Sequence, residues 1–223
     1  MSMNRKAIAF GDIHGCPRAA ESAVRLTQEL GATGIFLGDY VDRGPDNMGV
    51  LDVLIRARAA QPDWVFLRGN HDQMLLDLID GRDHPDGFDE RTREEAYADW
   101  QAAPESFRAE VVRFLTGTKH YHETEHHIFV HAPLMHDGLA LHEKAPYDLV
   151  WNYDLEPAWQ GKLFVHGHLP IREAEITPAR INVNTSCGYN GILTGVLLDL
   201  GSGATLGICA IAEQGEVLSA PEH

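Results

Sequence analysis

Ala7-Ile8-Ala9-Phe10-Gly11-Asp12-Ile13-His14-Gly15-Cys16-Pro17 contains the pattern that decides the fold. A short apolar run meets a glycine turn, which suits a buried strand, and Pro17 stands where the first residue of a helix would be. Ala19, Ala23, Leu26 and Leu30 then share one helical face, and Gly31 suits the position just past the helix end. The unit repeats. Ile35 to Leu37 reads as strand, residues 38–46 as loop, and Val50, Leu51, Leu54 and Ile55 as the apolar face of a second helix. Val65 to Leu67 begins a third copy, whose loop carries Arg68 to His71 and whose helix has the stripe Met74, Leu75, Leu78 and Ile79.

Repeated strand-loop-helix units imply a largely parallel arrangement in which ligands gather at the carboxyl ends of the strands. Farther on, short runs at 119–123, 127–131, 163–166, 181–183, 193–198 and 204–211 predict a second sheet. The expected fold is therefore α/β, with two packed mixed β-sheets flanked by helices in a four-layer sandwich rather than a nucleotide-binding fold. One domain over 1–223 is expected, with a polar, mostly helical insertion at about 81–116 that reads as a solvated surface segment.

The bulk numbers exclude several classes. With 18 basic and 33 acidic residues the formal charge is −15, which argues against a protein that holds a nucleic-acid polymer through its phosphates. The three cysteines, Cys16, Cys187 and Cys209, are too scattered for a disulfide framework or a cysteine-rich zinc module. The apolar stretch from Ala7 to Phe10 is too short for a signal segment, and no run has the length of a membrane span. A cytoplasmic location without a membrane partner is expected; the oligomeric state is not readable.

Each of the three loops combines glycine with hard metal ligands: Gly11-Asp12-Ile13-His14-Gly15, Gly38-Asp39-Tyr40-Val41-Asp42-Arg43-Gly44 and Arg68-Gly69-Asn70-His71-Asp72. Asp12 and His14 are two apart at a strand end, so their side chains lean the same way and can grip one ion. Asp39 can offer two carboxylate oxygens and bridge two cations. Asn70 offers a neutral carbonyl oxygen, and His131 and His168 add imidazole nitrogens. This mixed nitrogen and oxygen set suits two divalent ions, Mn first, with Fe and Zn as alternatives to it, better than Ca or Mg. Singly, the aspartates could cap helices, Asn70 could make a turn and the histidines could be ordinary polar residues. Three such loops in order make the joint coincidence improbable.

These loops, followed by Val130-His131-Ala132 and Gly167-His168, resemble the motif set of the metallophosphoesterases, specifically the bacterial branch of the PPP-type phosphoprotein phosphatases, over roughly residues 7–198. The resemblance implies the four-layer metallophosphoesterase sandwich, with Asp12, His14 and Asp39 on one metal and Asp39, Asn70, His131 and His168 on the other. Pro170 stands where many other metallophosphoesterases carry a second ligating histidine, which also fits the PPP type. Two metals would generate a bridging hydroxide near neutral pH for in-line attack on phosphorus and clamp the phosphoryl oxygens. Arg43 would present its fork of N–H donors to phosphate. His71, paired by the likeness with Asp42, would give the leaving alkoxide its proton. Arg68 would touch phosphate or serve as a structural counter-charge.

The implied activity is a phosphomonoesterase, a serine/threonine or tyrosine protein phosphatase, acting on a phosphorylated protein or a small phosphoester. The alternatives are a symmetrical diadenosine tetraphosphate hydrolase and a non-catalytic metal-binding regulator. Retention of Asp42 argues against the dinucleotide hydrolase, which generally carries Ala there. Val150-Trp151-Asn152 resembles a segment followed in bacterial phosphoprotein phosphatases by a second phosphate-binding arginine, but here Tyr153 follows, placed to donate a hydrogen bond or stack on an aromatic leaving group. His120, His122, His126 and His127 read as solvated, His166 as lining the site without reaching a metal, and Cys16 as a small packed residue.

Overall fold

A computed structural model describes residues 6–82, 90–154, 159 and 161–221. The first half is built of the expected repeat: β1 (Lys6–Phe10), α1 (Pro17–Glu29), β2 (Thr33–Phe36), α2 (Asn47–Ala60), β3 (Val65–Phe66) and α3 (Asn70–Ile79). Helices α4 (Glu90–Ala102) and α5 (Glu105–Thr116) follow. The second half comprises β4 (Tyr121–Glu123), β5 (His127–Val130), α6 (Asp148–Trp151), β6 (Leu163–His166), β7 (Glu175–Ile176), β8 (Arg180–Asn182), β9 (Ile192–Asp199), β10 (Thr205–Ala212) and β11 (Val217–Ser219).

Two mixed sheets result. One has the order β11-β10-β9-β1-β2-β3, with β1, β2 and β3 parallel and β9 antiparallel to β1. The other has the order β4-β5-β6-β8-β7, with β5, β6 and β8 parallel and antiparallel strands at both edges. The parallel arrangement implied by the repeat thus covers the centre of each sheet, and the antiparallel strands come from segments joined without a crossover helix.

Alternation along each strand divides the core. Ala7, Ala9, Ile35, Leu37, Val65 and Leu67 face Phe129, Val165, Ile181 and Val183 between the sheets. The opposite face of the first sheet, Ile8, Phe10, Phe36 and Phe66, packs on Ala19, Ala23 and Leu26 of α1, on Val50, Leu51 and Leu54 of α2, and on α5. On the outer face of the second sheet, Ile128, Val130 and Phe164 meet Leu134 and Leu149. Each strand buried on both faces reads as an unbroken apolar run for this reason.

The insertion is helical, but α5 is not a solvated segment. Val111, Phe114 and Leu115 are buried in the main core, and the Phe114 ring lies 5.4 Å from Phe66 and 5.8 Å from Tyr40. Those three positions form one helical stripe amid charged neighbours, so average polarity concealed it. Arg58 donates to the Phe114 and Gly117 carbonyls, each at 3.1 Å, and closes the end of α5. The turn-forming stretch Asp83 to Gly87 lies outside the described residues. Strands β7 and β11 and the single turn α6 were not anticipated; β7 has two residues, and all three residues of β11 are exposed.

Phe114→Ala is expected to lower the unfolding free energy by ~3–5 kcal/mol, the cost of emptying a buried aromatic site. Urea denaturation measures it, and a loss below about 0.5 kcal/mol would mark α5 as a surface appendage.

Candidate metal centre

Parallel strands place their carboxyl ends on one edge, and the candidate residues sit there. Asp12 and His14 follow β1, Asp39 follows β2, Asn70 opens α3 after β3, His131 follows β5 and His168 follows β6. All six are buried. His14 Nε2 lies 3.7 Å from Asp12 Oδ2 and 3.6 Å from Asp39 Oδ2. On the other side His131 Nε2 lies 3.4 Å from Asp39 Oδ1 and 3.0 Å from Asn70 Oδ1, and His168 Nδ1 lies 2.9 Å from Asn70 Oδ1. Asp39 thus belongs to both donor groups, one with His14 and His71 and one with His131 and His168.

The backbone accepts strain to do this. His14, Asp39, Asp42, Arg43 and His168 have φ of 42°, 55°, 70°, 71° and 61°, in the left-handed region that side chains with a Cβ avoid. A Cβ on Gly69 would strike the Asp39 carboxylate, and one on Gly167 would strike that of Asp12. Those two glycines leave room for the carboxylates.

Partners outside the donor set fix its members. His14 Nδ1 is 2.8 Å from the Val41 carbonyl and His131 Nδ1 is 3.0 Å from the Leu37 carbonyl, so each ring donates from Nδ1 and turns its Nε2 inward. Asp12 accepts from the His168 N–H at 3.1 Å and from Asn184 Nδ2 at 2.6 Å, and Asp39 accepts from the His71 N–H at 2.9 Å. Asp72 accepts from the Asp39 and Gly69 N–H groups through Oδ2, both at 2.8 Å, and from Tyr40 N–H through Oδ1 at 2.9 Å. It ties the second and third loops together.

The charge arrangement fits cations. Burial, and then the neighbouring Asp39, push the Asp12 carboxyl up to about 6. Burial also opposes ionisation of Asp39, but His131, His71 and His14 hold it well below the usual carboxylate range. His131 is raised to about 9 against its burial, chiefly by Asp39. His168 is lowered to about 3 by burial and then by His131, so it is a neutral donor. Two close carboxylates, an amide oxygen and imidazole nitrogens in a dry pocket suit divalent transition ions.

Next to this group His71 Nδ1 lies 2.6 Å from Asp42 Oδ2, and the His71 and His14 rings meet edge-on at 4.9 Å. Arg43 Nη1 reaches to 2.5 Å from His14 Nε2, with its guanidinium carbon 4.8 Å from the centre of the Tyr189 ring. Arg68, expected at phosphate or as a counter-charge, is engaged elsewhere. It donates to three neutral oxygens, Thr118 Oγ1 and Gln73 Oε1, both at 2.9 Å, and the Leu115 carbonyl. Tyr153 is exposed with its ring 4.5 Å from that of His168.

His127 is not solvated. It is fully buried with its ring 5.9 Å from Phe129, while His120, His122 and His126 are half-buried. His166 is buried and turns Nδ1 to the Gly167 carbonyl at 2.9 Å, and Cys16 is packed in the core. Sequence reasoning missed Asn184 and Tyr189. Asn184 comes just past the parallel strand β8, and the strand-end rule that found the other residues would have found it.

Strand ends that converge on one shared carboxylate form a candidate dinuclear centre. The chain belongs to the calcineurin-like phosphoesterase family, whose pattern matches residues 5–194, and membership implies a dinuclear divalent metal centre. Among its relatives, the asymmetrical bis(5'-nucleosyl)-tetraphosphatase PrpE of Geobacillus sp. (strain WCH70) is 27% identical over 220 residues, 83% of this chain and 87% of that protein. Serine/threonine-protein phosphatase 1 of Salmonella typhimurium is 38% identical over 79 residues, 33% of this chain and 32% of that one. In fold, the chain resembles a solved structure assigned provisionally as a diadenosine tetraphosphatase, with a TM-score of 0.71, 22% identity and 95% of each chain covered. The cold-active protein-tyrosine phosphatase of a Shewanella species matches with a TM-score of 0.63 at 15% identity, over 98% of this chain and 81% of that one. Among the described residues no helix is long and apolar enough to cross a membrane.

Asp39→Asn is expected to deplete bound metal, because it removes the charge common to both donor groups. Elemental analysis of Mn-reconstituted protein measures this, and two retained ions would contradict a bridging carboxylate.

Proposed function

We propose that this chain is a dinuclear-metal phosphomonoesterase of the protein-phosphatase type, with the dinucleoside tetraphosphatase activity named for its relatives as the competing reading. The observation that carries it is the 2.6 Å bond between His71 Nδ1 and Asp42 Oδ2 beside the donor cluster. A serine or threonine alkoxide is a poor leaving group and requires a proton as the P–O bond breaks, whereas the nucleotide expelled from a phosphoanhydride does not need one. A histidine oriented by a buried carboxylate is built for the first task.

In this reading Asp12, His14 and Asp39 hold one ion and Asp39, Asn70, His131 and His168 the other, with Mn as the proposed metal. The bound pair supplies Lewis acidity and a nucleophile available near neutral pH. Arg43 orients the phosphoryl group through its planar fork of donors. His71 gives up a proton to the departing oxygen, and Asp42 holds the ring in place through Nδ1. Tyr153 and Tyr189, both more than half exposed, stand beside His168 and Arg43 as stacking surfaces for an aromatic leaving group. Phosphotyrosine peptides are therefore expected to exceed phosphoserine peptides in kcat/KM, and equal or reversed values in a steady-state comparison would remove that role.

The competing reading is favoured by a specific finding, the tetraphosphatase name of the Geobacillus relative that aligns with 83% of this chain. Asymmetrical cleavage yields a nucleoside mono- and triphosphate, and symmetrical cleavage yields two diphosphates. Chromatography of products from Mn-loaded protein separates these outcomes from phosphomonoester turnover. His71→Asn should keep both metals while lowering kcat on a phosphoserine peptide by ~10²- to 10⁴-fold, with a smaller loss on p-nitrophenyl phosphate. Equal losses on the two substrates would overturn the proton-donor assignment.

A further inference from the structure

Asp42 and Arg43 occupy consecutive left-handed positions, so something must hold that turn. The Asp42 N–H donates to Asn47 Oδ1 at 2.6 Å, and Asn47 Nδ2 donates to Asp99 Oδ2 at 2.8 Å. Asn47 is the first residue of α2 and is buried at 3% exposure, whereas Asp99 belongs to α4 in the polar insertion. We propose that Asn47 and Asp99 are positioning residues that set the Asp42–His71 pair, and that the insertion serves the reaction through them. This rests on His71 being the proton donor.

The argument is one of donors and acceptors. A side-chain amide has one end that accepts and one that donates, and either can face a given neighbour. The Asp42 N–H can only donate. The Asp99 carboxylate can only accept, so it draws the NH2 end of Asn47 toward α4 and leaves the oxygen facing Asp42. Without Asp99 the buried Nδ2 loses its partner and the amide can rotate, which sets an N–H against the Asp42 N–H. The left-handed turn then loses its hold, and with it the alignment of Oδ2 on His71.

A series of aryl phosphates, from p-nitrophenyl to p-methylphenyl, reads this directly through the slope of log kcat against leaving-group pKa. A proton donor flattens the slope. His71→Asn supplies the steep reference, and Asp99→Ala is expected to fall between it and the parent. For Asp99→Ala the expected loss is about 5- to 20-fold on the worst leaving group and about 2-fold on the best, a fraction of what general acid catalysis supplies. Asp99→Asn should stay near the parent, because its side-chain oxygen still accepts from Asn47. Asn47→Asp alone should steepen the slope by setting two carboxylates face to face, and the double variant Asn47→Asp/Asp99→Asn should restore it. Thermal unfolding and metal content are followed in each variant, and if Asp99→Ala does not fold, the single and double Asn47→Asp variants decide alone.

A uniform loss across the series, an unchanged slope in Asp99→Ala, or a double variant no better than Asn47→Asp would overturn the positioning role. If His71→Asn itself leaves the slope unchanged, the proton-donor reading fails instead.

Discussion

Two buried carboxylates, Asp12 and Asp39, face the same imidazole edge, and the surrounding structure answers the cost of keeping them there. Water cannot solvate them, and their mutual repulsion shows in the raised Asp12 carboxyl. The fold supplies substitutes: a backbone N–H and the Asn184 amide on Asp12, a backbone N–H and the positive edge of His131 on Asp39. Such a pocket is complementary to positive charge. Donor geometry and electrostatics therefore point the same way.

Topology makes this concentration possible. Parallel strands bring their carboxyl ends to one edge, and packing two sheets face to face sets the ends of β1, β2 and β3 beside those of β5 and β6. A single sheet would spread the same residues along a line. The inner apolar layer, from Ala7 and Ile35 to Phe129 and Val165, is what fixes the spacing between Asp39 and His131.

Legibility followed the physics. That Asp12, His14, Asp39, Asn70, His131 and His168 converge was readable because each sits where a buried apolar run stops, at one edge of the parallel strands. The sandwich was readable from the same runs. Arg68 was ambiguous, because a guanidinium beside a motif suits a phosphate or a structural counter-charge alike, and its partners Thr118 and Leu115 come from a distant segment. Tyr189, His127 and the role of α5 depend on contacts between distant segments. No local spacing encodes them. The buried stripe of α5 was diluted by charged neighbours, and the short edge strands β7 and β11 hold too few residues to display alternation.

Asp72 lends no atom to either donor group, yet its carboxylate grips N–H groups, that of Asp39 among them, from two loops that reach the pocket from different strands. Those loops are consequently one mechanical body. The shared carboxylate ties the Asp39 N–H to the Gly69 N–H, one residue before Asn70, and so sets the separation of Asp39 from Asn70. The length of one side chain acts as the gauge for that separation, and a longer acid at this position would demand a matching retreat of the two loops from each other.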